Sequence, residues 1–191
     1  KLGIPGENSL TGMGVSYCAT CDGAFFRGKD TAVIGGGDVA VEDAIFLARI
    51  CRHVHVIHRR DRFRAAKVLS DRLLSLENVT VHWNSIPLSI VGENTVSGLT
   101  IEDKETKVQK TLDVNGVFIA IGMAPDTDLV RGLIDLNSAG YIAADETCRT
   151  SVPGIFAAGD VRAKQLRQVV SAVSDGANAV YSAQRYLEEG R

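Results

Sequence analysis

The sequence predicts an α/β fold in which a parallel sheet is followed by a second, smaller segment. Short β-branched runs alternate with amphipathic helical patterns over residues 31–83. A glycine-rich turn joins the first run to the first helical pattern, and short alternating runs follow over residues 88–114. Because strands that alternate with helices form parallel sheets, we expect a doubly wound, three-layer domain with an antiparallel insertion.

The strands and helices of the first part follow one another at short intervals. We expect strands over residues 31–34, 53–57 and 79–83, each a run rich in Val, Ile or Thr. Apolar residues at three- or four-residue steps predict helices over residues 38–49 and 63–76. This β-α-β-α-β order favours parallel strands joined by right-handed crossovers.

The rest of the chain changes character. Residues 1–8 mix Gly, Pro and polar residues, which predicts a connecting segment. Turn sequences separate the alternating runs of residues 88–114, a pattern typical of an antiparallel meander. Apolar runs predict buried strands over residues 116–122 and 154–160, and the pattern of residues 165–188 predicts one long helix.

Composition and charge exclude several classes of protein. Hydrophobic residues make up 45% of the chain and charged residues 23%, as in ordinary globular proteins. The net charge of -2 gives no electrostatic basis for nucleic-acid binding. We also expect no membrane span, because no apolar run reaches about 18 residues. No secretory leader is recognisable in the sequence, which begins with Lys1 rather than Met. We therefore expect a cytoplasmic protein.

The four cysteines divide into one close pair and two isolated residues. Cys18 and Cys21 are separated by two residues, whereas Cys51 and Cys148 stand alone. A secreted disulfide scaffold is denser in cysteine, and a structural zinc site needs about four ligands, so we expect no metal. The close pair favours redox chemistry, with half of a metal site or two unpaired thiols as the alternatives. For the isolated cysteines we expect core or surface thiols.

A phosphate-binding turn is predicted between the first strand and the first helix. Residues 35–40 read G-G-G-D-V-A, which matches the pattern G-x-G-x-x-A. In this setting Gly35 permits a tight turn, Gly37 lets the backbone approach a pyrophosphate, and Ala40 permits close packing. The helix N-terminus adds partial positive charge. The pattern therefore predicts a Rossmann-like nucleotide-binding domain, with a plain glycine turn as the alternative.

A basic cluster after the second predicted strand indicates which dinucleotide binds. An NAD site usually has Asp or Glu at this position to accept hydrogen bonds from the ribose hydroxyls. Instead, the chain has basic residues there: His58, Arg59, Arg60, Arg62, Arg64 and Lys67. Because guanidinium groups bind phosphate and a carboxylate repels it, we predict NADPH rather than NADH. The alternative is a solvated basic face of the second helix.

The cysteine pair is followed immediately by an acidic residue. Cys18-Ala19-Thr20-Cys21 precedes Asp22, whose carboxyl group can move the proton that disulfide chemistry requires. Thiolates near a helix N-terminus have lowered pKa values and react faster. The pair lies on the same predicted domain as the glycine turn. Because a disulfide accepts hydride poorly, we expect a flavin between the two.

With these motifs in this order, the chain resembles the low-molecular-weight thioredoxin reductases of bacteria. The matching runs are C-A-T-C-D-G, G-G-G-D-V-A-V-E-D-A, H-R-R-D-R-F-R-A, F-I-A-I-G and G-I-F-A-A-G-D-V-R, followed by L-R-Q. The resemblance implies FAD and NADPH as cofactors, thioredoxin as the protein substrate, and a homodimer. It also implies that the nicotinamide domain rotates against the flavin domain.

The resemblance implies a role for each matching position. Cys21 faces the flavin, Cys18 attacks thioredoxin, and Asp22 donates and accepts the proton. Residues implied to bind NADPH are Gly35, Gly37, Asp38, Val39, Glu42, His58, Arg59, Arg60, Arg64, Ile121 and Gly122. Residues implied to bind FAD are Gly159, Asp160, Arg167 and Gln168.

The chain departs from the family pattern in three places. Val39 stands where many relatives have Ser or Thr, and residues 123–126 replace a run in which a His and a Pro-Asn pair are common. Only one dinucleotide turn is present, whereas the family has an earlier one for FAD. We therefore expect residues 1–125 to be the NADPH-binding domain and residues 126–191 an incomplete FAD domain. On this reading the chain is shortened and leaves the apolar surface of residues 152–188 uncovered.

Two other functions remain open. A flavoprotein that reduces a peroxiredoxin shares these motifs, but that family tends to have Pro and His between its cysteines, where this chain has Ala19 and Thr20. The chain could also be an NADPH-binding module without turnover. Ferredoxin-dependent relatives lack the glycine turn and the arginine pair, both of which are present here.

Overall fold

The chain divides into two compact units. The computed structural model describes residues 1–190, and the units are Lys1–Gly122 and Met123–Arg191. The sequence placed the boundary after residue 125, and the structure divides the chain after Gly122. Arg191, the last residue of the predicted second segment, lies outside the described residues. None of the helices within residues 1–190 combines the length and the apolar character that a membrane crossing needs.

The first unit contains a five-stranded parallel sheet and a three-stranded antiparallel sheet. The strands of the unit are β1 (Val15–Ser16), β2 (Asp30–Gly35), β3 (His53–Ile57), β4 (Val79–His82), β5 (Ser85–Gly92), β6 (Val96–Asp103), β7 (Gln109–Leu112) and β8 (Gly116–Ala120). Its helices are α1 (Ala19–Asp22), α2 (Asp38–Ala48) and α3 (Lys67–Leu74). The parallel sheet has the order β1-β8-β2-β3-β4, and the meander has the order β5-β6-β7. The predicted α/β fold with an antiparallel insertion is confirmed.

Both faces of the parallel sheet are buried, and different elements cover them. On one face Val33 and Val56 pack with apolar residues of α2 such as Leu47. On the other face Ile34 packs with meander residues such as Leu99. Alternate residues of a strand point to opposite faces, so β2 contributes to both clusters. The three layers are therefore helices, parallel sheet and meander, with the meander in the place where a doubly wound fold has further helices.

The second predicted helix is shorter than expected. We expected it over residues 63–76, but α3 begins only at Lys67 and ends at Leu74. The backbone N–H of Arg64 donates to the carbonyl of Gly36 at 2.8 Å, and the N–H of Ala66 donates to a carboxylate oxygen of Asp38 at 2.8 Å. These bonds to the glycine turn hold residues 62–66 in an irregular loop, because the same N–H groups cannot also form helical bonds.

The second unit has a small core and one long helix, α4 (Val169–Glu188). Ile134, Ile142 and Ala157 form its buried apolar cluster. The predicted strand over residues 154–160 is wrong, because this segment forms only a single bridge, between Phe156 and Arg149. Glycines in left-handed conformations interrupt it near both ends: φ is 83° at Gly154 and 79° at Gly159. Such backbone geometry cannot continue an extended strand.

Candidate functional site

The glycine turn follows β2 and leads into α2, and its three glycines have different surroundings. A Cβ atom at Gly35 would overlap the carbonyl oxygen of Ala120 and come within 2.6 Å of the Ala40 Cβ. This close packing explains why small residues are needed at both positions. A Cβ at Gly36 would overlap the imidazole of His58, whereas a Cβ at Gly37 would meet nothing within 4 Å. Gly37 therefore presents its backbone to open space at the N-terminus of α2.

This open space is a cavity of about 580 Å³ at the carboxyl ends of the parallel strands. Its size is within the range of small-molecule sites. Predicted NADPH residues that line it are Gly35, Gly37, Asp38, Val39, His58, Arg59, Arg60, Arg64, Ile121 and Gly122. Glu42 is also on α2 but is not among the lining residues. The structure thus brings ten of the eleven predicted positions to one cavity.

Sequence reasoning missed one wall of this cavity. Ser85, Ile86 and Pro87 at the start of β5 line it, together with Leu2 and Ile4 near the start of the chain. These residues belong to no motif, and their placement depends on how the meander and the first residues of the chain pack on the parallel sheet. The predicted connecting segment at residues 1–8 is thus part of the first unit, and Leu2 and Ile4 pack against its core.

Residues 59–66, called the arginine loop, are fixed to the glycine turn by hydrogen bonds that backbone N–H groups of the loop donate. As described above, Arg64 donates to Gly36 and Ala66 donates to Asp38. On its other side, the loop accepts a hydrogen bond at the carbonyl of Arg60 from the N–H of Asn84, at 3.2 Å. One oxygen of the Asp38 carboxylate is therefore engaged by the loop. We infer that Asp38 acts mainly by holding the loop, although it lines the cavity.

The cavity has an unbalanced positive charge along its arginine side. Arg59, Arg60 and Arg64 are exposed and line the cavity. Within residues 1–190, none of these three side chains forms an ion pair. Because guanidinium groups bind phosphate through charge-assisted hydrogen bonds, this side of the cavity suits an anionic group.

The close cysteine pair forms a disulfide in the structure. Cys18 and Cys21 are joined with an S–S distance of 2.05 Å, and Cys18 caps the N-terminus of α1. Asp22 follows in the same short helix, and the hydroxyl of Ser16 donates to its carboxylate at 2.7 Å. Ser16 is buried and also accepts from the N–H of Cys18 at 3.1 Å. No sequence pattern predicted a role for Ser16, which links the Asp22 carboxylate to the backbone of Cys18.

The two isolated cysteines lie in the interior. Burial raises the pKa of both the Cys51 and the Cys148 thiol, which disfavours the reactive thiolate. The Cys148 thiol donates to the carbonyl of Asp175 at 3.3 Å. Among residues 1–190 no group of three or more His, Cys, Asp or Glu side chains is arranged to hold a metal ion.

The residues predicted to contact FAD lie close together in the sequence of the second unit. Asp160 is exposed in a short 3-10 turn, Gly159–Val161. The guanidinium of Arg167 lies 4.0 Å from the centre of the Tyr141 ring, and its Nε donates to the carbonyl of Asp160 at 3.4 Å. Gln168 caps the N-terminus of α4. The Asp160 carboxylate accepts no hydrogen bond from the described residues and is available to a ligand.

A buried charge cluster holds this segment to α4. Asp175 is 3% exposed and accepts hydrogen bonds from Arg162 at 2.8 Å and from the N–H of Gly159 at 2.9 Å. Lys164 lies within 2.5 Å of the same carboxylate. The hydrogen bond from Arg162, with help from Lys164, holds the pKa of Asp175 far below its ordinary value although burial opposes this. The ionised cluster fixes the turn that carries Asp160.

Comparison with known proteins places the chain in one family. Residues 1–176 match the pyridine nucleotide-disulphide oxidoreductases. The thioredoxin reductase of Treponema pallidum is 48% identical over 188 residues, which cover 98% of this chain and 61% of that protein. The thioredoxin reductase of Listeria monocytogenes is 47% identical over 190 residues, 99% of this chain and 60% of that protein. The chain thus spans about three fifths of the length of these curated relatives, and the predicted resemblance is confirmed.

Solved structures give the same result. The thioredoxin reductase of Streptococcus pyogenes has a TM-score of 0.94 and 48% sequence identity to this chain. The match covers 99% of this chain and 62% of that protein. The ferredoxin-flavin thioredoxin reductase of Clostridium acetobutylicum is more distant, with a TM-score of 0.53 and 27% identity.

Proposed function

Because the chain belongs to the pyridine nucleotide-disulphide oxidoreductases, we propose that it is part of an NADPH-dependent flavoprotein that reduces thioredoxin through the Cys18–Cys21 disulfide. One observation carries the proposal. The first unit contains both the disulfide and a separate cavity, which the glycine turn and three arginines line. Neither cysteine lines the cavity, so electrons need a carrier between the two places.

The cavity fits the phosphates of NADPH. The backbone of Gly37 at the start of α2, where an added Cβ would meet nothing within 4 Å, suits the pyrophosphate, because helix N-termini favour anions. The guanidinium groups of Arg59, Arg60 and Arg64, which form no ion pair within residues 1–190, suit the 2′-phosphate. No carboxylate lies at the end of β3, where an NAD site has one, since His58 follows Ile57 there.

The second unit fits part of a flavin site. The free carboxylate of Asp160 suits a hydroxyl group of the ribityl chain, and the backbone at Gly159 leaves room for a close approach. Arg167, held over Tyr141, and Gln168 suit the polar edge of the ring system. When bound, FAD supplies the two-electron relay between a hydride donor and a disulfide. We propose that the additional length of the relatives corresponds to the rest of this site.

The disulfide then passes the electrons on. Two electrons and two protons convert the Cys18–Cys21 disulfide to a dithiol. The Cys18 thiolate attacks the disulfide of thioredoxin and forms a mixed disulfide, and Cys21 attacks Cys18 to release the reduced thioredoxin. Asp22 donates and accepts the proton that moves when the thiols form and react, and the hydroxyl of Ser16 holds its carboxylate in place. A homodimer and a cytoplasmic location remain predictions.

The function is tested with the full-length protein in three measurements: its visible flavin spectrum, its binding of NADPH, and NADPH oxidation in the presence of oxidised thioredoxin. We expect a bound flavin that NADPH reduces, with steady turnover. The Cys18→Ser variant is the control, because it should keep flavin reduction and lose thioredoxin reduction. NADPH binding with neither flavin nor turnover would instead indicate the binding module, and turnover only with a peroxiredoxin would indicate the related flavoprotein.

A further inference from the structure

Glu7 is a buried carboxylate in the segment before the parallel sheet. It is 1% exposed and forms no ion pair within residues 1–190. Its oxygens accept hydrogen bonds from the N–H of Leu2 at 3.0 Å, the N–H of Gly3 at 2.7 Å and the hydroxyl of Tyr17 at 2.8 Å. Burial raises the pKa of Glu7, but these hydrogen bonds outweigh burial and hold the pKa below its ordinary value. The carboxylate is therefore ionised at neutral pH.

Two of the three donors lie in the wall of the cavity that no sequence motif predicted. Leu2 and Ile4 line the cavity, and Gly3 lies between them in a left-handed conformation with a φ of 75°. Residues 1–10 belong to no helix or strand. The N–H groups of Leu2 and Gly3 therefore have no partner in a regular backbone ladder, and the Glu7 carboxylate accepts from both. The position of this wall thus depends on one side chain.

The carboxylate is itself anchored to the parallel sheet, and the residues just before it are anchored to the meander. Tyr17, whose hydroxyl donates to Glu7, directly follows β1. The carbonyl of Pro5 accepts from the N–H of Ile90 in β5 at 2.9 Å, and a Cβ at Gly6 would overlap the carbonyl oxygen of Ile90. Pro5 and Gly6 thus lie against β5 through their backbone, whereas Glu7 fastens the wall that precedes them.

We propose that Glu7 is a positioning residue for the nucleotide: its carboxylate holds the wall formed by Leu2, Gly3 and Ile4 in the position that NADPH needs. This inference rests on the proposed function. The side chains of Leu2 and Ile4 are apolar, so they do not distinguish a ribose with a 2′-phosphate from one without. The wall therefore strengthens the binding of NADPH and NADH alike, whereas the arginine loop distinguishes the two. Glu7 does not line the cavity and acts through the wall.

Nucleotide binding to full-length Glu7→Gln tests this inference. The NH₂ group of glutamine faces N–H and O–H donors, so the amide cannot replace both carboxylate oxygens. The wall is then correctly placed for only part of the time, which raises the dissociation constants. We expect fluorescence titration to show that both constants, for NADPH and for NADH, rise by about 3- to 10-fold while their ratio stays unchanged. The rate of flavin reduction at saturating NADPH should stay the same, because the bound nucleotide keeps the wall in place.

Glu93→Gln is the matched control, since Glu93 is exposed in the same unit and the substitution removes the same charge. It should leave both affinities unchanged. Loss of a negative charge by itself favours an anionic nucleotide, so charge alone does not weaken binding in Glu7→Gln. Unchanged affinities in Glu7→Gln, or weaker binding of NADPH only, overturn the inference.

A double-mutant cycle shows whether Glu7 acts through the wall. Leu2→Ala removes the apolar side chain but keeps the N–H that donates to Glu7, so it should weaken both nucleotides. Glu7→Gln added to Leu2→Ala should then weaken binding by a smaller factor than it does alone. Additive effects of the two substitutions contradict the proposed role.

Two further measurements decide the matter if Glu7→Gln does not fold. Leu2→Ala must weaken both nucleotides, and in the wild type the amides of Leu2 and Gly3 must exchange slowly with solvent deuterium. Failure of either overturns the inference. The proposed function stands in that case if the wild type binds NADPH more tightly than NADH. If the wild type does not bind NADPH, both fail.

Discussion

The two units differ in how completely their own residues form a site. In the first unit, both faces of the sheet are covered, and ten predicted NADPH residues meet at one cavity. In the second unit three residues form the buried apolar cluster, and α4 exposes a series of apolar side chains: Val169, Val170, Val173, Val180 and Leu187. A buried charge cluster takes the place of a large core. The first unit therefore forms its cavity from its own residues alone, whereas the second leaves an apolar helix face exposed.

The largest effect is expected at the arginine side of the cavity. Replacing Arg59 and Arg60 together with Gln should weaken NADPH binding by about 3–6 kcal/mol, roughly 10²- to 10⁴-fold, because each charge-assisted contact contributes about 1.5–3 kcal/mol. NADH, which lacks the 2′-phosphate, should bind almost unchanged. Fluorescence titration of both nucleotides measures this. Arg62→Gln is the matched control, since Arg62 belongs to the same loop but does not line the cavity. Equal loss of both nucleotides would contradict the assignment.

Disrupting the buried charge cluster should lower the stability of the second unit by a free energy similar to that lost in NADPH binding. Asp175→Asn leaves Arg162 and Lys164 buried without their counter-ion, which costs about 3–5 kcal/mol. Hydrogen exchange read by mass spectrometry should show faster exchange in α4 and in the turn at Gly159–Val161, and unchanged exchange in β2 and β3. Glu146→Gln is the control: it also pairs with Arg162, but its side chain is 88% exposed, so the loss is about 0–1 kcal/mol. Similar effects of the two variants would show that the cluster does not hold this unit together.

Substitutions at two neighbouring glycines should separate effects on the stability of the first unit from effects on NADPH binding. Gly36→Ala places a Cβ in the imidazole of His58, so it should destabilise the unit by about 1–3 kcal/mol and weaken NADPH as well. Gly37→Ala meets no protein atom, so stability should change by less than about 0.5 kcal/mol while NADPH binding weakens. Urea unfolding followed by Trp83 fluorescence, together with NADPH titration, tests the pair. A loss of stability in Gly37→Ala would contradict the structure, because it would show that the space beside Gly37 is not open.

The smallest expected effect is a loss of stability of the first unit at acidic pH. All four histidines of the chain lie in this unit. Burial, followed by Lys110 and the neighbouring histidines, lowers the pKa of His82 from 6.5 to about 4. The unfolded chain therefore binds more protons than the folded chain between these values, and stability falls as the pH drops below 6.5. We expect a loss on the order of 1 kcal/mol between pH 7.5 and 5.5. Trp83 fluorescence measures it, and His82→Gln should reduce the slope.

Local sequence patterns predicted β2, β3, β4, β8 and α2, because these elements follow hydrophobic periodicity, but they missed β1, which is only two residues long. They failed where distant contacts decide the backbone. Residues 63–66 have a helical pattern, yet bonds to Gly36 and Asp38 hold them in a loop. At the site, the glycines and arginines were recognisable by type and spacing. The burial of His58 depends on its packing with Phe63 and Trp83. The hydrogen bond from Ser16 to Asp22 depends on the backbone conformation between β1 and α1. No sequence pattern predicted either contact.

We propose that the first unit recognises the 2′-phosphate of NADPH with its arginine loop. A crystal structure of the full-length protein with NADP⁺ tests this most directly. We predict that the pyrophosphate lies at Gly37 and that oxygens of the 2′-phosphate lie about 2.7–2.9 Å from guanidinium nitrogens of Arg59, Arg60 or Arg64. A 2′-phosphate in solvent, with these three side chains directed elsewhere, would contradict the claim.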